Sequence, residues 1–357
     1  MIEIKVHENE AGPREKSLLS IIQESRVPGM VTYHYERPEG YEAFARLQGS
    51  GFQVVEAVEE GVTLGFTQVT FDRVNWEGNE ISIAYSGDTR VGMASRGKRI
   101  SDALISQACS LTVPVLGAVM NSNSTVLGSK LQHWSKSGIH FKPIGELEAC
   151  FYPPLNKPRS HPDLTCRPAR NSDLPSMFAL WRLYSKSHNL TRAYTDLDSF
   201  ANDFPRGTSL ETTLLVHQNG ELIAMTGLWN QDEIRTIRVD SRAGILNFAM
   251  SWIPDTWIRI PAAGEELKIA YSYRHAWIPE HPMSAQALHY LIQEARYRSG
   301  QWNRHFFCFG IDTHDPLAHQ ARKGILFSNR ARIICDPRGN SDILKSAKSL
   351  HLEVGMG

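Results

Sequence analysis

The tetrapeptide Ile-Ala-Tyr-Ser occurs twice in this chain, at Ile83–Ser86 and Ile269–Ser272, and similar stretches surround each copy. Upstream of the first lies FQVVEAVEEGVTLGFTQVTF, two β-rich runs about a turn at Glu60–Gly61. Upstream of the second lies TTLLVHQNGELIAMTGLW, two such runs about Asn219–Gly220. Asn-Gly is a strong hairpin signal, because both residues tolerate positive φ. Downstream, helical stretches open at Ser101 (SDALISQACSL) and Ser284 (SAQALHYLIQEARYR). Each leads to an apolar, β-like run, VPVLGAVM or HFFCFGI. Earlier helices are expected at Tyr41–Leu47 and Asp173–Tyr184. A repeat of this mixed content restricts the fold to α+β: two like domains in tandem, each a mixed, mostly antiparallel sheet flanked by helices.

The length, 357 residues, exceeds one ordinary core and fits two. Between Phe151 and Arg167 fall Pro153, Pro154, Pro158 and Pro162, which deprive the backbone of donors and fix φ. A linker is therefore expected near residues 152–165, dividing the chain into domains over 1–152 and 165–357. Lys plus Arg and Asp plus Glu both number 38, so no basic excess points to nucleic acid. The five cysteines, Cys109, Cys150, Cys166, Cys308 and Cys335, are scattered without ligand spacing, which fits reduced thiols in the cytoplasm. The first residues lack an apolar signal core, and no window reaches the roughly 20 apolar residues of a membrane span.

The first Ile-Ala-Tyr-Ser is followed by Gly-Asp-Thr-Arg-Val-Gly-Met-Ala-Ser-Arg-Gly-Lys-Arg-Ile-Ser. A strand ends near Val91, a short basic loop follows, and a helix opens. A helix N-terminus presents unpaired N–H groups and partial positive charge, which together bind phosphate. Arg96, Lys98 and Arg99 add charge there, and Gly97 lets backbone approach a ligand.

This segment resembles the phosphate loop of the GNAT N-acetyltransferase superfamily, whose pattern is Arg/Gln-x-x-Gly-x-Gly/Ala. Arg96 fills the first position, Arg99 stands where Gly is usual, and Ser101 where Gly or Ala is usual. Val91 sits where the family's strand-ending valine is expected, and Tyr85–Val91 looks like the fourth strand of tandem GNAT proteins. The resemblance implies acyl-CoA, most simply acetyl-CoA, held by Val91, Gly92, Met93, Arg96, Gly97, Lys98, Arg99, Ile100, Ser101 and Asn123. The family often has Asn near the pantetheine arm, as at Asn121 and Asn123. Its general-acid tyrosine is replaced by Trp134. It also implies direct attack of a small-molecule amine on the thioester, with an oxyanion donor near Val91 or Met93.

Candidate bases lie on the fourth strand: Asp88, Tyr85 and Glu80. Strand alternation puts Tyr85 and Val91 on one face and Glu80 and Asp88 on the other, unless a bulge changes the parity. The second copy reads Met-Ser-Ala-Gln-Ala-Leu over Met283–Leu288, without Gly, Arg or Lys, so the second domain is expected to be structural or part of the substrate cleft. No metal is expected: Asp312, His314, Asp315 and His319 lack ligand spacing and read as a polar junction capping a helix at Pro316. The expected function is acyl-CoA-dependent N-acyl transfer, with a non-catalytic acyl-CoA-binding module as the alternative. An aminoacyl-tRNA-dependent transferase is a weaker one, since the balanced charge suits few phosphate contacts.

Overall fold

A computed structural model describes residues 1–29, 31–244, 260–353 and 355. The N-terminal half runs β1 (Glu3–Glu8), α1 (Glu15–Glu24), β2 (Val31–Glu36), α2 (Tyr41–Ala45), β3 (Gly51–Glu59), β4 (Val62–Trp76) and β5 (Asn79–Val91). It continues through α3 (Ile100–Ala108), β6 (Val115–Met120), α4 (Leu131–Lys136) and β7 (Lys142–Tyr152). The C-terminal half begins with β8 (Thr165–Pro168), α5 (Leu174–Ser187), β9 (His188–Asn189), β10 (Thr191–Arg192) and α6 (Leu197–Asn202). Next come β11 (Thr213–Gln218), β12 (Glu221–Asn230), β13 (Thr236–Arg242), β14 (Ile269–Trp277) and α7 (Ser284–Gln301). The half ends with β15 (Phe306–Asp312), α8 (Ala318–Ala321), β16 (Phe327–Asp336) and β17 (Ser349–Leu350).

Both expected hairpins form at the expected residues. Glu60 and Gly61 carry φ of 50° and 80°, and Asn219 and Gly220 carry 50° and 87°. Consecutive positive φ is the twist-matched two-residue turn; Asn219 and the two glycines favour it, and Glu60 adopts it in the first hairpin. The two Ile-Ala-Tyr-Ser copies lie on equivalent strands, β5 and β14, each followed by a helix and a parallel strand.

Most strands join one sheet in the order β1-β3-β4-β5-β6-β16-β7-β15-β14-β12-β11-β8. At its centre the halves trade strands. β16, from the end of the C-terminal half, pairs with β6, while β7, from the end of the N-terminal half, pairs with β15. The two traded strands also pair with each other from Phe327↔Phe151 to Cys335↔Lys142. A separate ribbon, β2 with β13, ties the halves a second time. The linker over 153–164 thus joins stretches of sequence whose sheets are continuous.

The sheet sorts its apolar side chains by face. Val69, Ala84 and Val115 pack beneath α3 with Ile100 and Leu104. On the opposite face Phe66 packs with α1 through Leu18 and Ile22, and Val74, Ile83 and Leu116 form a further cluster. The C-terminal half has the largest core, built on Trp181, Tyr184, Leu291 and Phe309. No described helix is long and apolar enough to cross a membrane.

Candidate active site

Strands β5 and β6 pair in parallel only at Ala84↔Val115 and Tyr85↔Leu116, then diverge. Beyond that point Ser86, Gly87, Asp88 and Arg90 are half-buried, and Ala118 and Met120 on β6 are exposed. Two large apolar side chains stand open at the lips, Met93 at 62% and Met120 at 41% exposure.

A β-bulge marks the point of divergence. Asp88 has φ of 50°, and the β4–β5 register shifts between Phe66 and Gln68. The second half repeats it: Arg274 has φ of 49°, and the β12–β14 register shifts between Met225 and Gly227. Each bulge residue lies five positions beyond the isoleucine of its tetrapeptide. A bulge re-aims side chains and backbone donors, which accounts for its place at such sites. It also breaks the simple alternation of faces along β5, because Thr67 faces both Asp88 and Thr89; its hydroxyl shares a 2.7 Å hydrogen bond with Thr89.

Past the bulge the two halves differ sharply. β14 and β15 are buried along their whole described length. The C-terminal segment fills their divergence: the Arg274 N–H donates to Glu353 Oε1 at 2.7 Å, and His351 Nε2 lies 3.0 Å from the same oxygen. The N-terminal divergence has no such plug among the described residues.

Asp88 is anchored. Arg90 Nε donates to its Oδ1 at 3.0 Å and Arg37 Nη2 to its Oδ2 at 3.3 Å. Burial pushes its pKa up, but the charges of Arg90 and Arg37 outweigh burial and hold the carboxyl below its usual range. Arg37 is itself buried, its guanidinium 4.0 Å from the Phe44 ring centre, and no sequence motif singled it out. Tyr85 leans along β5 toward Gly87, where a Cβ would lie 2.7 Å from the ring. Burial pushes the Tyr85 pKa up to about 12, against a small opposing effect of the Ala118 backbone on β6. Glu80 lies elsewhere: it pairs with Asn75 beside the β4–β5 turn and forms an ion pair with Arg73. Eight residues of strand, about 26 Å, separate it from the bulge.

The basic loop closes one end of the gap. Gly92 N–H donates to Leu64 O at 2.9 Å, a short 3₁₀ turn covers Met93–Ser95, and Arg96, Gly97, Lys98 and Arg99 are exposed before α3. Ile100 is buried beneath that helix, while Lys98 lies 3.8 Å from Glu59. Asp102 in the first turn of α3 accepts from Lys130 Nζ at 2.6 Å and Trp134 Nε1 at 3.0 Å. Lys130 also reaches Ser101 Oγ at 3.3 Å, from the π-turn Val126–Lys130. Trp134 is a core residue, packed with Phe141 and tied to α3. Asn123 is exposed and accepts from the Val126 N–H at 3.2 Å, so in this structure it caps the following turn. Asn121 donates to Glu146 at 2.7 Å.

The polar junction between β15 and α8 serves structure. Asp315 Oδ1 accepts from the Leu317 N–H at 2.7 Å, and its Oδ2 lies 2.7 Å from His188 Nε2. Asp312 accepts from the His314 and Leu350 N–H groups, and His319 is exposed.

No family model matches the chain, and no curated protein does. Among solved structures, Saccharomyces cerevisiae N-myristoyltransferase with bound myristoyl-CoA superimposes with a TM-score of 0.60, covering 94% of this chain and 82% of its own at 14% identity. A GCN5-related N-acetyltransferase from Sphaerobacter thermophilus superimposes with a TM-score of 0.53, covering 94% of this chain and 96% of its own at 12% identity. The fold is that of the GNAT superfamily.

Arg99, which the sequence resemblance sets at a position expected to be glycine, has φ of 60°, in the left-handed region that glycine tolerates best. Its guanidinium compensates locally, 2.8 Å from His133 Nε2 and 3.5 Å from Asp102.

Proposed function

We propose that this chain is an acyl-CoA-dependent N-acyltransferase with one catalytic centre, in the N-terminal half, that moves a short acyl group to the amine of a small molecule. The observation that carries the reading is the contrast between the clefts: the first is open, bulged and edged by a basic loop, while the second is filled by the chain's own Glu353. Acyl-CoA, as co-substrate, supplies an activated thioester. Arg96, Lys98 and the start of α3 hold its phosphates, and Val91, Gly92, Met93 and Met120 border its arm.

In the second half the bulge N–H binds a carboxylate oxygen. The equivalent Asp88 N–H, beside the open gap, is the donor we assign to the oxyanion of acyl transfer. This moves the donor from Val91 or Met93 back to the bulge. The candidate bases divide by environment. Asp88, ion-paired with two arginines and held below the usual carboxyl range, is a weak base and serves to fix the bulge. Tyr85 stays protonated at neutral pH and forms a wall. Glu80 is remote, so the amine's proton leaves to water along the open cleft.

Tyr85 also supports a short acyl group, acetyl first. Tyr85 is the last residue of β5 paired with β6, at the narrow end of the divergence, where a longer chain extending toward the start of β5 would collide with the ring. A second reading, an acyl-CoA-binding module without turnover, draws on the anchored Asp88 and the structural Trp134. Incubation with acetyl-CoA and a panel of small amines, following free thiol release, separates the two. Amine-dependent thiol release establishes the enzyme, whereas tight binding without release across the panel establishes the module.

A further inference from the structure

His275 sits on β14 immediately after the bulge, and His351 and Glu353 lie on the C-terminal segment that fills the second cleft. One ligating atom from each falls within 4.8 Å of the other two. The His275 and His351 ring centres are 4.4 Å apart. Two of the atoms gathered there, His275 Nδ1 and Glu353 Oε2, are buried and have no hydrogen-bond partner. Leaving such atoms unsatisfied is costly, and an ion is one of the few things that accounts for two of them together.

The surroundings orient these groups. The Arg274 N–H fixes Glu353 Oε1 at 2.7 Å. Tyr184 Oη lies 3.3 Å from His351 Nδ1, leaving Nε2 toward the cluster. A ligating histidine that spends its other nitrogen on a neighbour is the usual outer-shell arrangement. Ligands on a tetrahedral ion at about 2.0–2.1 Å stand roughly 3.3 Å apart, so small side-chain movements close the cluster.

We propose that His275, His351 and Glu353 form a divalent transition-metal site, zinc being the ion that two imidazoles and a carboxylate suit, which pins the C-terminal segment across the second cleft. No sequence motif hints at it, because the ligands come from well-separated parts of the C-terminal half and share no characteristic spacing. The site stands whether or not the first cleft transfers acyl groups.

The test uses the full chain without an affinity tag, stripped with a chelator and titrated with Co²⁺ and Zn²⁺. Expected are about one equivalent bound per chain, Co²⁺ ligand-field bands of a nitrogen–oxygen tetrahedral site, and a higher thermal midpoint with Zn²⁺. His275→Ala and His351→Gln should each weaken binding by about tenfold or more. If His275→Ala fails to fold, His351→Gln, on the terminal segment, carries the comparison. The proposal is overturned if the wild-type chain shows neither Co²⁺ bands nor a thermal response. It is equally overturned by thiolate charge-transfer bands, which place the ion on cysteine, or by binding that the folded variants leave unchanged.

Discussion

The Arg274 N–H donates to Glu353 Oε1 at 2.7 Å, at the position in the second half that Asp88 holds in the first. One bulge amide is therefore occupied by the chain's own carboxylate while its counterpart borders an open gap. Calorimetric titration with acetyl-CoA is expected to give one site per chain. A stoichiometry of two would show that the terminal segment yields to the ligand.

Arg96 and Lys98 stand exposed at the loop, so their contribution to binding is electrostatic. Charge-assisted hydrogen bonds contribute about 1.5–3 kcal/mol each, so Arg96→Ala or Lys98→Ala should weaken CoA binding roughly ten- to a hundredfold. The loss should shrink as salt rises, because screening already weakens the wild-type contact. Titrations at low and high ionic strength check both parts.

Arg99→Gly tests loop shape. The left-handed backbone at φ of 60° favours glycine, and the side chain's partners are surface groups. A non-glycine residue in that region costs on the order of 1 kcal/mol, more than an exposed ion pair contributes. The variant should bind CoA as well as wild type or better, with unchanged or higher stability in denaturant unfolding. A tenfold weaker affinity at low salt would place the Arg99 side chain on a phosphate.

Asp88 has its native pKa depressed by Arg90 and Arg37 against the opposing effect of burial. Its stabilising contribution is therefore full above the unfolded value, about 3.9, and is lost as pH falls through the lower native value. Asp88→Asn leaves Arg37 buried without its counter-charge, a change that typically costs about 3–5 kcal/mol. Acid unfolding curves of wild type and variant should converge at low pH. Turnover of the variant, assayed while folded, should fall more than its CoA affinity, as expected of a residue that positions the bulge.

Tyr85→Ala is expected to change acyl-chain preference. The wild-type kcat/KM should drop at least about tenfold from acetyl- to hexanoyl-CoA, since burying four more methylenes would otherwise favour the longer chain by roughly 0.8 kcal/mol each. The variant should accept the longer chain, whereas Tyr85→Phe, which keeps the ring, should not. Equal wild-type activity on both chain lengths would remove Tyr85 as the wall.

The repeat was legible because turns, tetrapeptide and helix starts are local signals: Gly61, Asn219 and Gly220 take up the positive φ that their residue types tolerate. The basic loop was legible for the same reason. Arg37, Glu353 and His351 were not. Each acts on a residue far away in sequence, with no periodicity to betray it. Glu80 was misplaced because strand alternation counts faces and says nothing of distance along a strand. Asp88 stood out in its motif, and the sequence left base and ion pair with Arg90 as alternatives; the structure shows that ion pair and adds Arg37. The trade of β7 for β16 was invisible, since each strand's pattern is the same whichever half it pairs with.

That trade governs how the molecule comes into being. During synthesis the N-terminal half emerges with a place beside β6 that only β16 can fill, and β16 leaves the ribosome almost two hundred residues after β7. Until then the edge of β6 is an unpaired template, and the long-range pairing it awaits is the slow kind. Neither half is a self-sufficient folding unit, so expressing residues 1–152 alone should yield an aggregation-prone fragment. The first cleft, though built from the first half's residues, is completed only once β16 has been synthesised.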